Sequence, residues 1–183
     1  MKTDTPTYSF EMFKKMFFEI GEKHKEITKI VEENSRSIKA LNKQIGGISE
    51  SNGDMAEEMI YNSLERDMTF SSIKFDDIKQ NVPVMSGFDT KTELDVLMVN
   101  GDTLAIIETK YKVEKKDVAK LLKKQLPDFR ECFPTYNNYK IILGIGGMSF
   151  DKKAIKEAKD NGIGIIKVVG DKVEYYTDGM KMY

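Results

Sequence analysis

The stretch Thr92-Glu93-Leu94-Asp95-Val96-Leu97-Met98-Val99-Asn100-Gly101-Asp102-Thr103-Leu104-Ala105-Ile106-Ile107-Glu108-Thr109-Lys110 decides how this chain is read. Two runs rich in β-branched and apolar residues flank Asn100-Gly101, a pair suited to the left-handed backbone of a tight hairpin turn. A turn at those two residues pairs Val99 with Asp102 and Asp95 with Ile106. A four-residue loop instead sets Asp95 directly opposite Glu108. Either register keeps Glu93, Asp95, Leu97 and Val99 on one sheet face with Leu104, Ile106, Glu108 and Lys110, because side chains alternate along a strand. A three-residue loop without a bulge would break that parity.

On this face the turn end is apolar and the far end carries Asp95, Glu108 and Lys110. Clustering them there costs desolvation energy, and a surplus carboxylate titrates or takes up a cation. Two carboxylates so placed suit a hard divalent ion such as Mg²⁺ (or Mn²⁺), which prefers oxygen ligands and keeps some of its water. A lysine two residues beyond the second acid can orient the attacking water. This is the arrangement of metal-assisted phosphodiester hydrolysis. The plainer reading is a surface hairpin in which Glu93, Glu108 and Lys110 form cross-strand ion pairs.

Downstream, Lys110 to Lys124 holds seven lysines against Glu114 and Asp117. Val113–Leu126 reads as a helix interrupted by Pro127, with Val118, Leu121 and Leu122 inward and Lys116, Lys120, Lys123 and Lys124 outward. Such a stripe, with Lys112 beside it, can follow a phosphate backbone. Taken alone it is an ordinary solvated face. Further strands are expected at Tyr139–Leu143, Gly164–Val169 and Lys172–Tyr176, with a helix at Asp151–Asp160. Gly144-Ile145-Gly146-Gly147 lacks the full phosphate-loop pattern and reads as a strand-to-helix turn.

Upstream, strands are expected at Ile73–Phe75 and Val82–Met85, after a short helix over Met55–Asp67 with Ala56, Met59, Ile60, Ser63 and Leu64 on one face. On that helix Glu57 shares its column with Ile60 and Leu64, at the edge of the apolar face, whereas Glu58 points to solvent. Gly46-Gly47 and Glu50–Asp54 read as a turn-rich joint. Before the joint, Phe13, Phe17, Ile20, His24, Ile27, Val31, Asn34, Ile38, Leu41, Ile45 and Ile48 step by four and three, a heptad seam that predicts a coiled coil. A helix with such a stripe must bury it, and a homodimer does so. The bland alternative folds the helix back on its own domain. His24 and Asn34 are polar seam positions that can fix register, and nothing around His24 makes it catalytic.

Asp95, followed on the next strand by Glu108-Thr109-Lys110, resembles the core motif of the PD-(D/E)XK nuclease superfamily, with Leu94 where the motif has proline. Gly53-Asp54-Met55-Ala56-Glu57 is similar to the G-x-x-A-E opening of its Holliday-junction-resolvase-like members. The resemblance covers about Gly53 to Val169. It implies a restriction-endonuclease-like fold in which Asp95 and Glu108 bind the metal, the Thr109 carbonyl assists, and Lys110 positions the nucleophilic water. Glu57 is implied as a further catalytic acid.

The wider sequence narrows the field. Its 183 residues carry Lys+Arg 29 against Asp+Glu 30, so attraction to a polyanion must come from a local patch. One cysteine excludes an internal disulfide, and no Cys/His cluster has zinc-ligand spacing around the single histidine. The polar opening, Met1 to Phe10, lacks the apolar run of a signal peptide, and no stretch is apolar enough for a membrane span, so a cytoplasmic protein is expected. The reading is therefore an α/β protein with a coiled-coil oligomerisation helix over residues 1–48 and a mixed-sheet nuclease-like domain over residues 53–183. Its function would be metal-dependent DNA hydrolysis. The alternative is a non-catalytic coiled-coil module on the same fold that binds DNA or a protein. Acids close enough to share one ion, with Glu57 nearby, favour the enzyme. Lys110 or Arg130 bonded into the acids favours the module.

Overall fold

A computed structural model of the chain describes residues 10–183, and the side chains of residues 42–50 lie outside that description. Most of the polar opening read over Met1 to Phe10 and the side chains of the seam positions Ile45 and Ile48 therefore lie outside the described residues. The chain divides after Ile48 into two units. Helix α1 spans Phe10–Asp67. The turn-rich joint expected around Gly46-Gly47 and Glu50–Asp54 is thus helical. A glycine costs a helix about 1 kcal/mol relative to alanine, a penalty that neighbouring turns can absorb. Within the first unit the seam residues Phe17, Ile20, Ile27, Val31, Ile38 and Leu41 are all exposed. Among the described residues no helix is long and apolar enough to cross a membrane.

The second unit is built on strands that follow the alternation of the sequence. A two-stranded ribbon, β1 (Thr69–Phe70) and β2 (Ile73–Lys74), precedes a six-stranded sheet. Its strands are β3 (Asp77–Ser86), β4 (Asp89–Asn100), β5 (Thr103–Val113), β6 (Lys140–Phe150), β7 (Gly164–Val169) and β8 (Lys172–Tyr176), in that spatial order. Neighbours β5, β6 and β7 are parallel, and the outer pairs are antiparallel. The crossover from β5 to β6 carries α2 (Lys115–Lys120), a π-helical turn (Leu121–Gln125) and α3 (Leu126–Cys132); α4 (Lys152–Asn161) joins β6 to β7. This is the α/β architecture expected, a mixed sheet flanked by helices.

Each face of the sheet has its own core. Leu104 and Ile106 of β5 pack with Val118, Leu121, Phe129, Ala154 and Ala158 from the crossover helices and α4. Ala105 and Ile107 point the other way, to Ile60 and Leu64 at the end of α1 and to Phe70 and Phe75. Burial of large aliphatic and aromatic side chains on both faces is worth roughly 1.5–3 kcal/mol per residue and fixes the register.

Two local expectations are overturned. Pro127 does not interrupt the crossover helix. The π turn just before it, closed by Leu126 N–H to Leu121 O, lets helical backbone continue to Cys132. Widening the turn accommodates a ring that would otherwise crowd the preceding carbonyls. Gly144-Ile145-Gly146-Gly147 is strand, in the middle of β6, and not a strand-to-helix turn. A Cβ on Gly146 would come within 2.6 Å of Ile60 Cδ1, and one on Gly144 within 2.9 Å of the Phe70 ring. These glycines let α1 and Phe70 lie close against the sheet.

Candidate functional site

The β4–β5 hairpin closes on Asn100↔Thr103, with Gly101-Asp102 in the turn, so Val99 pairs with Leu104 and the ladder ends at Val96↔Ile107. That is the register the longer loop gives, not the one that a turn at Asn100-Gly101 gives. Gly101 takes the positive φ the tight turn requires, 36°. One step beyond the last pair stand Asp95 and Glu108, facing each other where the strands part.

A kink in the neighbouring strand helps them do so. Between Gln80↔Val96 and Val82↔Leu94 the β3–β4 ladder has no Asn81–Asp95 pair, and Asn81 has φ 53°. Asparagine tolerates this left-handed conformation better than most residues. Across the kink the strands exchange faces. Ile78, Val96 and Met98 join the core under α1, whereas Val82, Val84 and Leu94 join the core under the crossover helices.

Asp95 fills the gap so made. Its Oδ2 accepts the Thr109 backbone N–H at 2.6 Å and the Thr109 hydroxyl at 2.9 Å. Lys110 Nζ lies 2.9 Å from Glu108 Oε1, 3.9 Å from Asp95 Oδ2 and 2.8 Å from the Thr109 carbonyl. Glu108 is almost wholly buried, its side chain 1% exposed. Besides Lys110 it accepts Lys120 at 3.0 Å on Oε1 and the Gln125 amide on Oε2.

The two acids differ electrostatically. Burial pushes the Asp95 carboxyl up to about 6, helped by the charge of Glu108; Lys110 and the two Thr109 bonds pull it back only partly. Burial also pushes Glu108 up, but Lys110, Gln125 and Lys120 outweigh it and hold the carboxyl below its ordinary value. Burial pushes Lys110 down, and the charges of Glu108 and Asp95 more than reverse this. The site holds a firm carboxylate, a second carboxyl that ionises near neutrality, and two ammonium groups.

The remaining predicted residues fall at varied distances from this centre. Glu57, half-buried on α1, accepts Gln80 Nε2 at 3.2 Å. It lines a cleft of about 470 Å³ with Asp54, Thr109, Lys110, Lys112 and Lys116. Among the described residues no three His, Cys, Asp or Glu side chains form a group that could hold a metal ion, so Glu57 is not gathered with Asp95 and Glu108 into one cluster. Glu58 is exposed. The lysine stripe is divided. All are exposed, but Lys116 pairs with Glu114 at 2.6 Å and Lys112 with Asp151 at 3.6 Å, while among the described residues Lys123 and Lys124 form no ion pair. Lys120 is exposed, as expected of the outer stripe, and its ammonium also reaches Glu108. Arg130 stays away from the acids and donates to the carbonyls of Tyr136, Asn137, Tyr139 and Tyr183. Gln125 was not foreseen at this site. Its only sequence signal is a polar residue one position before the inward-facing part of α3, which periodicity cannot distinguish from solvated surface.

Would a divalent ion fit? Three hard oxygens, Asp95 Oδ2, Glu108 Oε1 and the Thr109 carbonyl, already converge on one cation, the Lys110 ammonium. Two carboxylates and a carbonyl are a partial shell of the kind Mg²⁺ or Mn²⁺ completes with water. The donor set fits, provided that Lys110 moves aside.

The chain belongs to the family described as Domain of unknown function (DUF8196), whose model matches residues 50–175. No curated protein matches it. Among solved structures it is similar to the one titled "crystal structure of a repair endonuclease from Pyrococcus abyssi", at 18% identity and a TM-score of 0.46. The alignment covers 61% of this chain and 46% of that one, so the chain spans under half the length of that protein.

Proposed function

We propose that this chain is a metal-dependent DNA nuclease of the PD-(D/E)XK kind. In this reading residues 53–183 form the nuclease-like domain, and residues 1–48 join two copies through the seam of α1. The observation that carries it is the convergence of Asp95, Glu108 and the Thr109 carbonyl on a single cation position. Those three groups would hold Mg²⁺ or Mn²⁺. When bound, such an ion polarises a phosphoryl oxygen and supplies hydroxide at neutral pH.

The chain's own residues do the rest. Thr109 fixes Asp95 through two hydrogen bonds, so its carboxylate keeps its aim when the ion arrives. Lys110, released from the acids, turns its ammonium to the attacking water and to the charge growing on the phosphate. Glu57, on the wall of the adjoining cleft, can take up a proton at its carboxylate. Lys112 and Lys116 on the cleft wall, and the exposed Lys123, would contact the phosphate backbone.

One observation favours a second reading, a binding module that does not cut: Lys110 is bonded into both acids. Diffraction from crystals soaked in Mn²⁺ separates the two. Anomalous density between Asp95 and Glu108, with Lys110 moved out, supports the nuclease. An ammonium unmoved, with no bound Mn²⁺, supports the module and overturns the proposal.

A further inference from the structure

We infer that Gln125 is a positioning residue that holds Glu108, and with it the spacing of the two acids, for a divalent cation. The inference rests on the reading that Glu108 binds such an ion. It begins with the π turn Leu121–Gln125. In an α-helix, residues five apart stand about 140° apart around the axis. An i→i+5 turn brings them to roughly 50° apart, on the same side of the helix. Lys120 and Gln125 are five apart, one at each end of this turn, and both reach Glu108: Lys120 at Oε1 and Gln125 at Oε2. In a regular helix they would point to different sides.

The Gln125 amide is fixed at both ends. It is wholly buried, and Nε2 donates to Glu108 on β5 and to the Glu93 carbonyl on β4 at 3.2 Å. Glu93 on β4 and Glu108 on β5 both lie beyond Val96↔Ile107, the last pair of the β4–β5 ladder. The amide therefore bridges the two strands where they no longer bond to each other. Its Oε1 has no hydrogen-bond partner. A buried carbonyl left unbonded costs about 1–3 kcal/mol, so the orientation of this side chain is set by its two donor contacts and not by the comfort of its oxygen. Turning the amide over would set that oxygen against a carboxylate.

Lys120 and Gln125 act on the same carboxylate in opposite senses. The Lys120 ammonium sits on Oε1, the oxygen that also faces Lys110 and the common cation position, so it competes with an incoming ion. The Gln125 amide sits on the other oxygen, competes for nothing, and holds the group in place. Loss of an outer-shell hydrogen bond of this type costs about ten- to a hundredfold in metal affinity.

The test is calorimetric titration of the full chain with Mn²⁺, with thermal melts to confirm folding. The variants are Gln125→Met, Gln125→Asn and Lys120→Met. Gln125→Asn keeps an amide but withdraws it by one methylene, and reports on the contact should Gln125→Met not fold. We expect both Gln125 variants to bind Mn²⁺ at least tenfold more weakly than wild type and Lys120→Met to bind it more tightly. Gln125 variants that bind Mn²⁺ like the wild type, or Gln125 and Lys120 variants that shift affinity in the same direction, would overturn the inference and leave Gln125 a packing residue. If the wild type itself takes up no Mn²⁺, the metal reading fails before the role of Gln125 is reached.

Discussion

Thr109 donates both its backbone N–H and its hydroxyl to one oxygen of Asp95, at 2.6 and 2.9 Å. The first replaces a ladder bond that β4 no longer offers once the strands part at Val96↔Ile107. The second is available only to a residue with a hydroxyl at that position. Together they keep a mostly buried carboxyl oriented in a gap of the sheet.

From this follows a substitution test. Thr109→Val preserves shape but removes one bond to Asp95. Hydrogen bonds to charged groups contribute about 1.5–3 kcal/mol. We expect a loss of about 1–2 kcal/mol in urea unfolding at pH 8, where Asp95 is ionised, and a smaller loss at pH 5. Equal losses at the two pH values would show that the carboxylate is not the partner that matters.

The pH dependence of Asp95 has an unusual sign. Its folded value, about 6, lies above the ordinary 3.8. The folded state therefore keeps its proton longer, and this group's contribution to stability falls as pH rises from about 4 to about 6. Asp95→Asn removes that fall. In the metal-free protein it should stabilise by up to about 3 kcal/mol at pH 8 and by little at pH 4. Glu108 has the opposite sign: burial raises its carboxyl, but Lys110, Gln125 and Lys120 lower it by more, and the net is downward. Glu108→Gln should destabilise at pH 8, leaving Lys120 without its counter-charge and Lys110 with Asp95 alone. Denaturant melts of both variants across this range test the contrast. Two variants that shift in the same direction at pH 8 would contradict it.

Much of this site was legible from the sequence, and the reasons are local. Asn100-Gly101 between two β-rich runs announced the hairpin, and strict alternation put Asp95, Glu108 and Lys110 on one face. What alternation could not supply was the register, because an Asn-Gly pair serves equally as the turn or as its first half. Nor could it supply the kink at Asn81, which depends on a single residue's backbone. Lys120 and Gln125 were hidden by the π turn: a helical wheel drawn at 3.6 residues per turn sends them to different sides. The helix through Gly46-Gly47 was misread because glycine pairs mark turns more often than helices, although their penalty is small beside the neighbouring turns.

The lysines of the crossover helix now divide into testable groups. Lys116, Lys120, Lys123 and Lys124 are all exposed; Lys116 is paired with Glu114 and Lys120 with Glu108, whereas among the described residues Lys123 and Lys124 form no ion pair. Replacing Lys123 and Lys124 together by glutamine should weaken DNA binding and reduce the slope of log affinity against log salt by about 2. An unchanged slope would mark them as solvated surface.

The apolar seam of α1 makes a prediction about assembly. Ile27 and Val31 are exposed in the single chain, at 59% and 56%. If a second copy covers them, sedimentation of the full chain at micromolar concentration should give a dimer, and Ile27→Glu with Val31→Glu a monomer. The monomeric variant should retain Mn²⁺ binding but lose the avidity that two tethered sites confer. A wild type that sediments as a monomer would remove the coiled coil from the account.

Whether Asp95, Glu108 and Lys110 form a phosphodiester-cleaving centre is read from cleavage itself. Wild type and Lys110→Met are incubated with Mg²⁺ or Mn²⁺ and plasmid, branched and single-stranded DNA, and first-order cleavage rates are measured with enzyme in excess. We expect metal-dependent cleavage of at least one substrate, and a rate for Lys110→Met lower by roughly a hundredfold or more. Absence of cleavage on every substrate with either metal, or a Lys110→Met rate equal to that of the wild type, would contradict that expectation.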